Sequence, residues 1–294
     1  MMTPNDITVD SWDDLAEKLF EGSENRDLKR FRSDFVFRGI SSVDYDLGTT
    51  LQRLVGDGSG LRRLDSSPAK LEHAILRNFR KYAHRDASPG DSEWNWLAVA
   101  QHHGLPTRLL DWTISPYVGV YFATDEVDKH HLDGAIWCFN FREAKKYLPE
   151  ENVLEALRKE HAFLFDVPML MKLAPGLREF DAINRSEPFP LVFEPPALDD
   201  RIVNQAGLFS IMSSPTARLD EWFEVRPEVC RRIIIPAKLK PEFRDKLDMM
   251  NLTERLIYGG LDGLSKWLKR YYTPPNAKPE DVAVVEAKTE AHMH

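Results

Sequence analysis

The sequence predicts an α+β fold in which a mixed sheet is surrounded by helices, and three observations lead there. Short aromatic and β-branched runs at residues 34–39, 135–139, 191–193, 208–211 and 232–236 lie far apart along the 294 residues, so one sheet is assembled from distant pieces. Between them, apolar residues recur at helical spacing behind serine caps. The composition, 43% hydrophobic and 29% charged, is that of an ordinary globular chain and excludes a fibrous or wholly disordered one.

Taken in order, Ser11 followed by Asp14 caps a helix over residues 11–21, with Trp12, Leu15, Leu19 and Phe20 at helical spacing. The run 34–39 is a strand that ends in Arg38-Gly39. Ser67-Pro68 supplies a cap and a first-turn proline for a helix to about residue 84, which places Leu71, Ile75, Phe79 and Tyr82 on its inner face. The next helix has an acidic start at Asp91 and Glu93, turns Trp94, Leu97 and Ala98 inward, and stops after His102 and His103 at Gly104 and Pro106. Residues 107–111 read as a crossing segment, and Ser115-Pro116 opens a helix to about residue 124. Residues 142–172 read as mainly helical with a break at Pro149, and 188–196 encloses a strand. Asn204 to Gly207 form a turn into the strand 208–211, and residues 241–250, 251–258 and 261–271 are closing helices. The organisation expected is one domain over 1–272, with a helical insertion around 142–196 and a flexible tail over 273–294 that ends His292-Met293-His294.

The net charge of −8 opposes nonspecific attraction to nucleic acid or to an anionic membrane. One local basic patch, Arg77, Arg80, Lys81 and Arg85, reads as a solvated helix face. Cys138 and Cys230 stand in no metal-ligand spacing, so they are expected to be buried thiols with no metal site. No leader-like start and no spanning segment is evident, so the expected location is cytoplasmic, without membrane contact.

Three stretches carry a family resemblance. They are Phe37-Arg38-Gly39, the run Trp94-Asn95-Trp96-Leu97-Ala98-Val99-Ala100-Gln101-His102-His103-Gly104-Leu105-Pro106-Thr107-Arg108-Leu109-Leu110-Asp111-Trp112-Thr113, and Arg201-Ile202-Val203-Asn204-Gln205-Ala206-Gly207-Leu208-Phe209. Together they resemble the FRG-domain family. A strand ending aromatic-Arg-Gly, a later Thr113-Ile114-Ser115-Pro116 turn and a helix ending Tyr121-Phe122-Ala123 are also similar to the first two motifs of arginine-type ADP-ribosyltransferases. That second resemblance implies a sheet core of the ADP-ribosyltransferase type and NAD as substrate. It further implies transfer to a protein or nucleic-acid acceptor, or NAD hydrolysis, while the FRG resemblance implies a bacterial or phage conflict setting, as a toxin or a phage-defence component. The late Glu-x-Glu of that pattern is missing, and Gln205 stands near its place.

Cleaving the nicotinamide bond needs a pyrophosphate anchor, hydroxyls for the ribose and a carboxylate near the developing positive charge. Arg38, with Gly39 beside it, offers a planar fork of donors to phosphate. Thr113 and Ser115 bring short hydroxyls to a helix start, and His102 closes the preceding helix. Gln205 can bind a ribose hydroxyl but carries no charge, which leaves Asp111 or Glu72 to supply the carboxylate. Each residue also has a structural reading: Arg38 pairs with Asp111, Ser115 caps a helix, His102 and His103 cap carbonyls, Gln205 steadies a turn, and Trp94, Trp96 and Trp112 fill the core. The alternatives to an enzyme are a non-enzymatic module that recognises a nucleotide or nucleic acid, and a protein-interaction domain.

Overall fold

In the computed structural model, which describes residues 5–25, 29–56, 66–84, 87, 89–183, 187–197 and 200–273, hydroxyl caps set the helix starts. Ser11 accepts the Asp14 N–H ahead of α1 (Trp12–Phe20). Thr49 and Gln52 form a reciprocal capping box for α2 (Thr50–Val55). Ser67 accepts from Lys70 ahead of α3 (Pro68–Ala83), and Ser92 from Asn95 ahead of α4 (Glu93–His102). α4 ends where Gly104 adopts φ of +77°. The remaining helices are α5 (Pro116–Thr124), α6 (Phe141–Ala144), α7 (Glu155–Lys159), α8 (Val167–Leu173), α9 (Leu177–Ile183), α10 (Asp200–Asn204), α11 (Leu219–Glu224), α12 (Lys240–Met249), α13 (Glu254–Tyr258) and α14 (Gly260–Tyr271). Among the described residues none is long and apolar enough to cross a membrane.

The strands are β1 (Asp6–Thr8), a small ribbon of β2 (Glu24–Asn25) and β3 (Arg30–Phe31), β4 (Phe35–Ile40), β5 (Leu109–Thr113), β6 (Gly134–Asn140), β7 (Phe165–Asp166), β8 (Pro190–Glu194), β9 (Gly207–Met212) and β10 (Cys230–Ile235). Eight of them make one mixed sheet in the order β1-β10-β6-β4-β5-β9-β8-β7. The β1–β10 and β7–β8 pairs at its edges are parallel and the interior pairs antiparallel. The α+β class with a mixed sheet among helices is therefore what the chain adopts.

Side chains alternate between the faces with period two. Val36, Ile40, Leu110, Trp112, Trp137 and Phe139 pack on one face, against α11. The other face carries two separate packs. Phe37, Ile136, Cys138 and Ile233 meet α1, α5 and α12. Leu109, Leu191, Phe193, Phe209 and Ile211 meet α4, α8 and α9. The boundary between the two packs falls between β4 and β5. There β4 pairs with β6 from Phe35 to Ile40, but with β5 only at Phe37↔Thr113.

Four sequence expectations change. Residues 107–111 are not a simple crossing, because Leu109, Leu110 and Trp112 fill alternate faces and so form β5. The segment 142–196 is more than a helical insertion: its strands β7 and β8 finish one edge of the sheet. α3 is rotated, leaving Tyr82 74% exposed while Glu72 and Leu76 turn inward. Ser115 precedes α5, yet its hydroxyl makes no cap bond. Trp94, Trp96 and Trp112 are core residues, and Cys138 and Cys230 are buried thiols. Arg85 and the tail beyond Thr273 lie outside the described residues.

Gly39 shows how closely α5 lies on β4. A Cβ there would sit 2.0 Å from the Gly119 carbonyl oxygen and 2.5 Å from the Ala123 nitrogen, both backbone atoms. Gly39→Ala should therefore lower unfolding free energy by about 3 kcal/mol or more, since helix and strand must separate. Gly104→Ala meets open space and only backbone strain, at about 1–2 kcal/mol. Denaturant unfolding of the two variants checks the order, and equal losses would contradict this packing.

Candidate functional site

Arg38 rises from β4 on the face shared with Val36 and Ile40, opposite Trp137 of β6. Because β5 leaves β4 after a single pair, the Arg38 side chain can reach across the gap. Its Nη1 donates to the Asp111 carbonyl at 2.7 Å and lies 3.7 Å from the Asp111 carboxylate. Gln101, at the end of α4, donates Nε2–H to that carboxylate at 2.9 Å and accepts the Thr107 hydroxyl at 2.5 Å. Thr107 in turn exchanges hydrogen bonds with Thr50, its N–H donating at 3.0 Å and its carbonyl accepting at 3.2 Å. One polar chain thus ties β4, β5, α4 and the start of α2 together.

Exposure sets what this chain can do. The Asp111 side chain is 55% exposed and Arg38 is 25% exposed, so the acid is the more open to solvent of the two. Burial draws the Arg38 pKa below its ordinary value, Asp111 opposes that shift, and the charge of Arg53 adds to it. Arg38 Nε is buried without a hydrogen-bond partner. Arg53 also lines a recess of about 330 Å³ with Asp46, Gly48, Gln52 and Arg218. Arg53 itself donates to the Gly48 carbonyl, and Asp111 is the half-exposed acid beside Arg38.

Thr113, Ser115 and Gln205 meet one another instead. The buried Thr113 hydroxyl donates to the Gln205 carbonyl at 2.6 Å and accepts the Ser115 N–H at 3.0 Å. The Gln205 side chain donates to the Ile257 carbonyl at 3.1 Å, beside Asn204 on the Leu256 carbonyl at 2.9 Å. These groups fasten α10 to β5 and α13. His102 is half-buried on α4, with its ring edge-on to His103 at 5.2 Å. Gly39 faces α5 and leaves no space for a ligand there. The residues expected to share one pocket are thus divided between the β4–β5 gap and the α10 corner. Among the described residues no group of three or more His, Cys, Asp or Glu converges as a metal site.

Glu72 belongs to a third cluster. Its carboxylate accepts Arg108 Nε–H at 2.6 Å and the Arg108 backbone N–H at 3.0 Å, while Arg108 also holds Asp181 through both terminal nitrogens. Glu72 and Arg108 side chains are each 1% exposed. Burial works against the Arg108 charge, but Glu72 and Asp181 outweigh it and raise the pKa.

Gln101, Thr107 and Arg53 are site residues that sequence reasoning passed over. Gln101 and Thr107 stand inside the Trp94 to Thr113 run, where their spacing from Asp111 was the available signal; nothing local marks Arg53. Glu72→Gln should cost about 3–5 kcal/mol of stability, because it removes one partner of a buried ion pair. A variant that melts with the wild type would instead free Glu72 for a chemical role.

The sequence model of the FRG domain matches residues 33–132, a stretch that contains Arg38, Arg53, Glu72, Gln101, Thr107, Arg108 and Asp111. No curated protein and no solved structure gives a significant match to the chain.

Proposed function

We propose, from the match of residues 33–132 to the FRG domain and from the geometry around Arg38, that this chain binds a nucleotide, NAD or a close relative, where β4 and β5 part. The observation that carries the reading is the pairing of a part-exposed guanidinium, Arg38, with a half-exposed carboxylate, Asp111, which Gln101 holds in place. Such a pair offers donors to a pyrophosphate and an acceptor to ribose hydroxyls, and Arg53 adds a second positive charge nearby. On this reading the sheet is of the ADP-ribosyltransferase type, and the β4–β5 gap is its ligand cleft.

Enzyme and recognition module part at Asp111. Glu72 is engaged with Arg108 and Gln205 with Ile257, which leaves Asp111 as the predicted carboxylate able to face a ribose. As an enzyme the protein would use Asp111 to stabilise the developing oxocarbenium charge in ADP-ribose transfer or NAD hydrolysis. Favouring the module, that carboxylate already has Arg38 and Gln101 as partners, which compensates the charge that catalysis would use.

Arg38→Lys keeps the charge but loses the fork. It should weaken NAD binding by about tenfold, or 1.4 kcal/mol, with little change in melting temperature. Titration with labelled NAD, followed by product analysis of wild type and Asp111→Asn, checks both parts. Absence of both binding and turnover sinks the proposal, and a large drop in the melting temperature of Arg38→Lys would mark Arg38 as purely structural.

A further inference from the structure

One cavity lies away from the β4–β5 gap. It is a cleft of about 860 Å³ between α3 and α9, with His73, Arg77 and Arg80 on one wall and Arg178 and Asp181 on the other. By sequence alone Arg77 and Arg80 belong to a solvated helix face. The fold sets them across a cleft from Arg178, about a hundred residues later in the chain.

Two of the three acids in the lining have protein partners, and the third, Glu179, is exposed. Asp181 is held by Arg108, and Glu93 accepts the Leu177 N–H at 2.9 Å at the head of α9. By contrast, Arg77 and Arg178 are exposed and form no ion pair among the described residues. The Nε2 atom of His73, also in the lining, is buried without a hydrogen-bond partner. Arg80 is steadied over the Trp96 ring at 5.8 Å. Like charges left unpaired on facing walls, above an unsatisfied ring nitrogen, are the donor set of an anion site.

We infer that this cleft binds a small phosphorylated ligand, with its phosphate groups between Arg77 and Arg178 and against His73. The volume falls within the range of about 300–1,000 Å³ usual for small-molecule pockets. The chain's net charge of −8 opposes a long nucleic-acid strand, which would extend beyond the cleft's arginines. Beneath it, the Arg108–Glu72–Asp181 cluster fixes the base of α3 to α9. The site shares no residue with the Arg38–Asp111 set and is independent of the function proposed above.

Calorimetric titration of the full chain at low salt with inorganic pyrophosphate, ADP and a single-stranded oligonucleotide tests it. Saturable binding of pyrophosphate or ADP is expected. In the double variant R77Q/R178Q it should weaken at least tenfold with an unchanged melting temperature, and in R38K it should persist. The inference is overturned if neither small probe binds, or if R77Q/R178Q leaves binding intact. It also falls if ADP binding is lost in R38K alone, or if the oligonucleotide binds tenfold more tightly than pyrophosphate through the same arginines.

Discussion

A single backbone pair, Phe37↔Thr113, joins the two halves of the central sheet, and the arrangement of the candidate site follows from how narrow that seam is. On one side β4 is fully laddered to β6 and packed against α5, so closely that only glycine fits at residue 39. On the other, β5 is laddered to β9 over its whole length and packed against α4. Where the strands separate, the Asp111 carbonyl finds its donor in the Arg38 side chain rather than in a strand. A strand carbonyl without a strand donor takes another partner, and here a charged side chain supplies it at the protein surface.

Two arginines of the same stretch show how burial divides enclosed from accessible charges. Arg108 is closed off with two acids, a geometry in which loss of one partner strands a charge in the interior. Arg38 keeps a quarter of its side chain in contact with solvent and has a longer, weaker approach to its acid. Exposed pairs of that kind contribute little to stability, about 0–1 kcal/mol. Their groups stay available to a ligand that brings its own charge, and the α3–α9 cleft repeats the pattern with Arg77 and Arg178.

Much of the fold was legible because it is written locally. Ser11, Ser67 and Ser92 cap helices at or near the predicted starts, Gly104 ends one, and the runs 34–39, 135–139, 208–211 and 232–236 are strands. What stayed hidden depends on partners far along the chain. α3 presents Glu72 inward rather than Tyr82 because Arg108, thirty-six residues on, needs a carboxylate; a lone Glu in an apolar stripe was the clue. Thr113 and Ser115 have the residue types of ribose ligands, but the Gln205 carbonyl, brought in by strand pairing, takes the Thr113 hydroxyl. The divergence of β4 from β5 leaves no mark in either strand's own sequence, since register is a property of pairs.

On the proposed function a nucleotide occupies that seam. A crystal structure with saturating ADP-ribose tests this most directly. The prediction is ligand density with its pyrophosphate against the Arg38 guanidinium and a ribose hydroxyl on the Asp111 carboxylate. Density elsewhere, with Arg38 and Asp111 bonded only to each other and to Gln101, would contradict it.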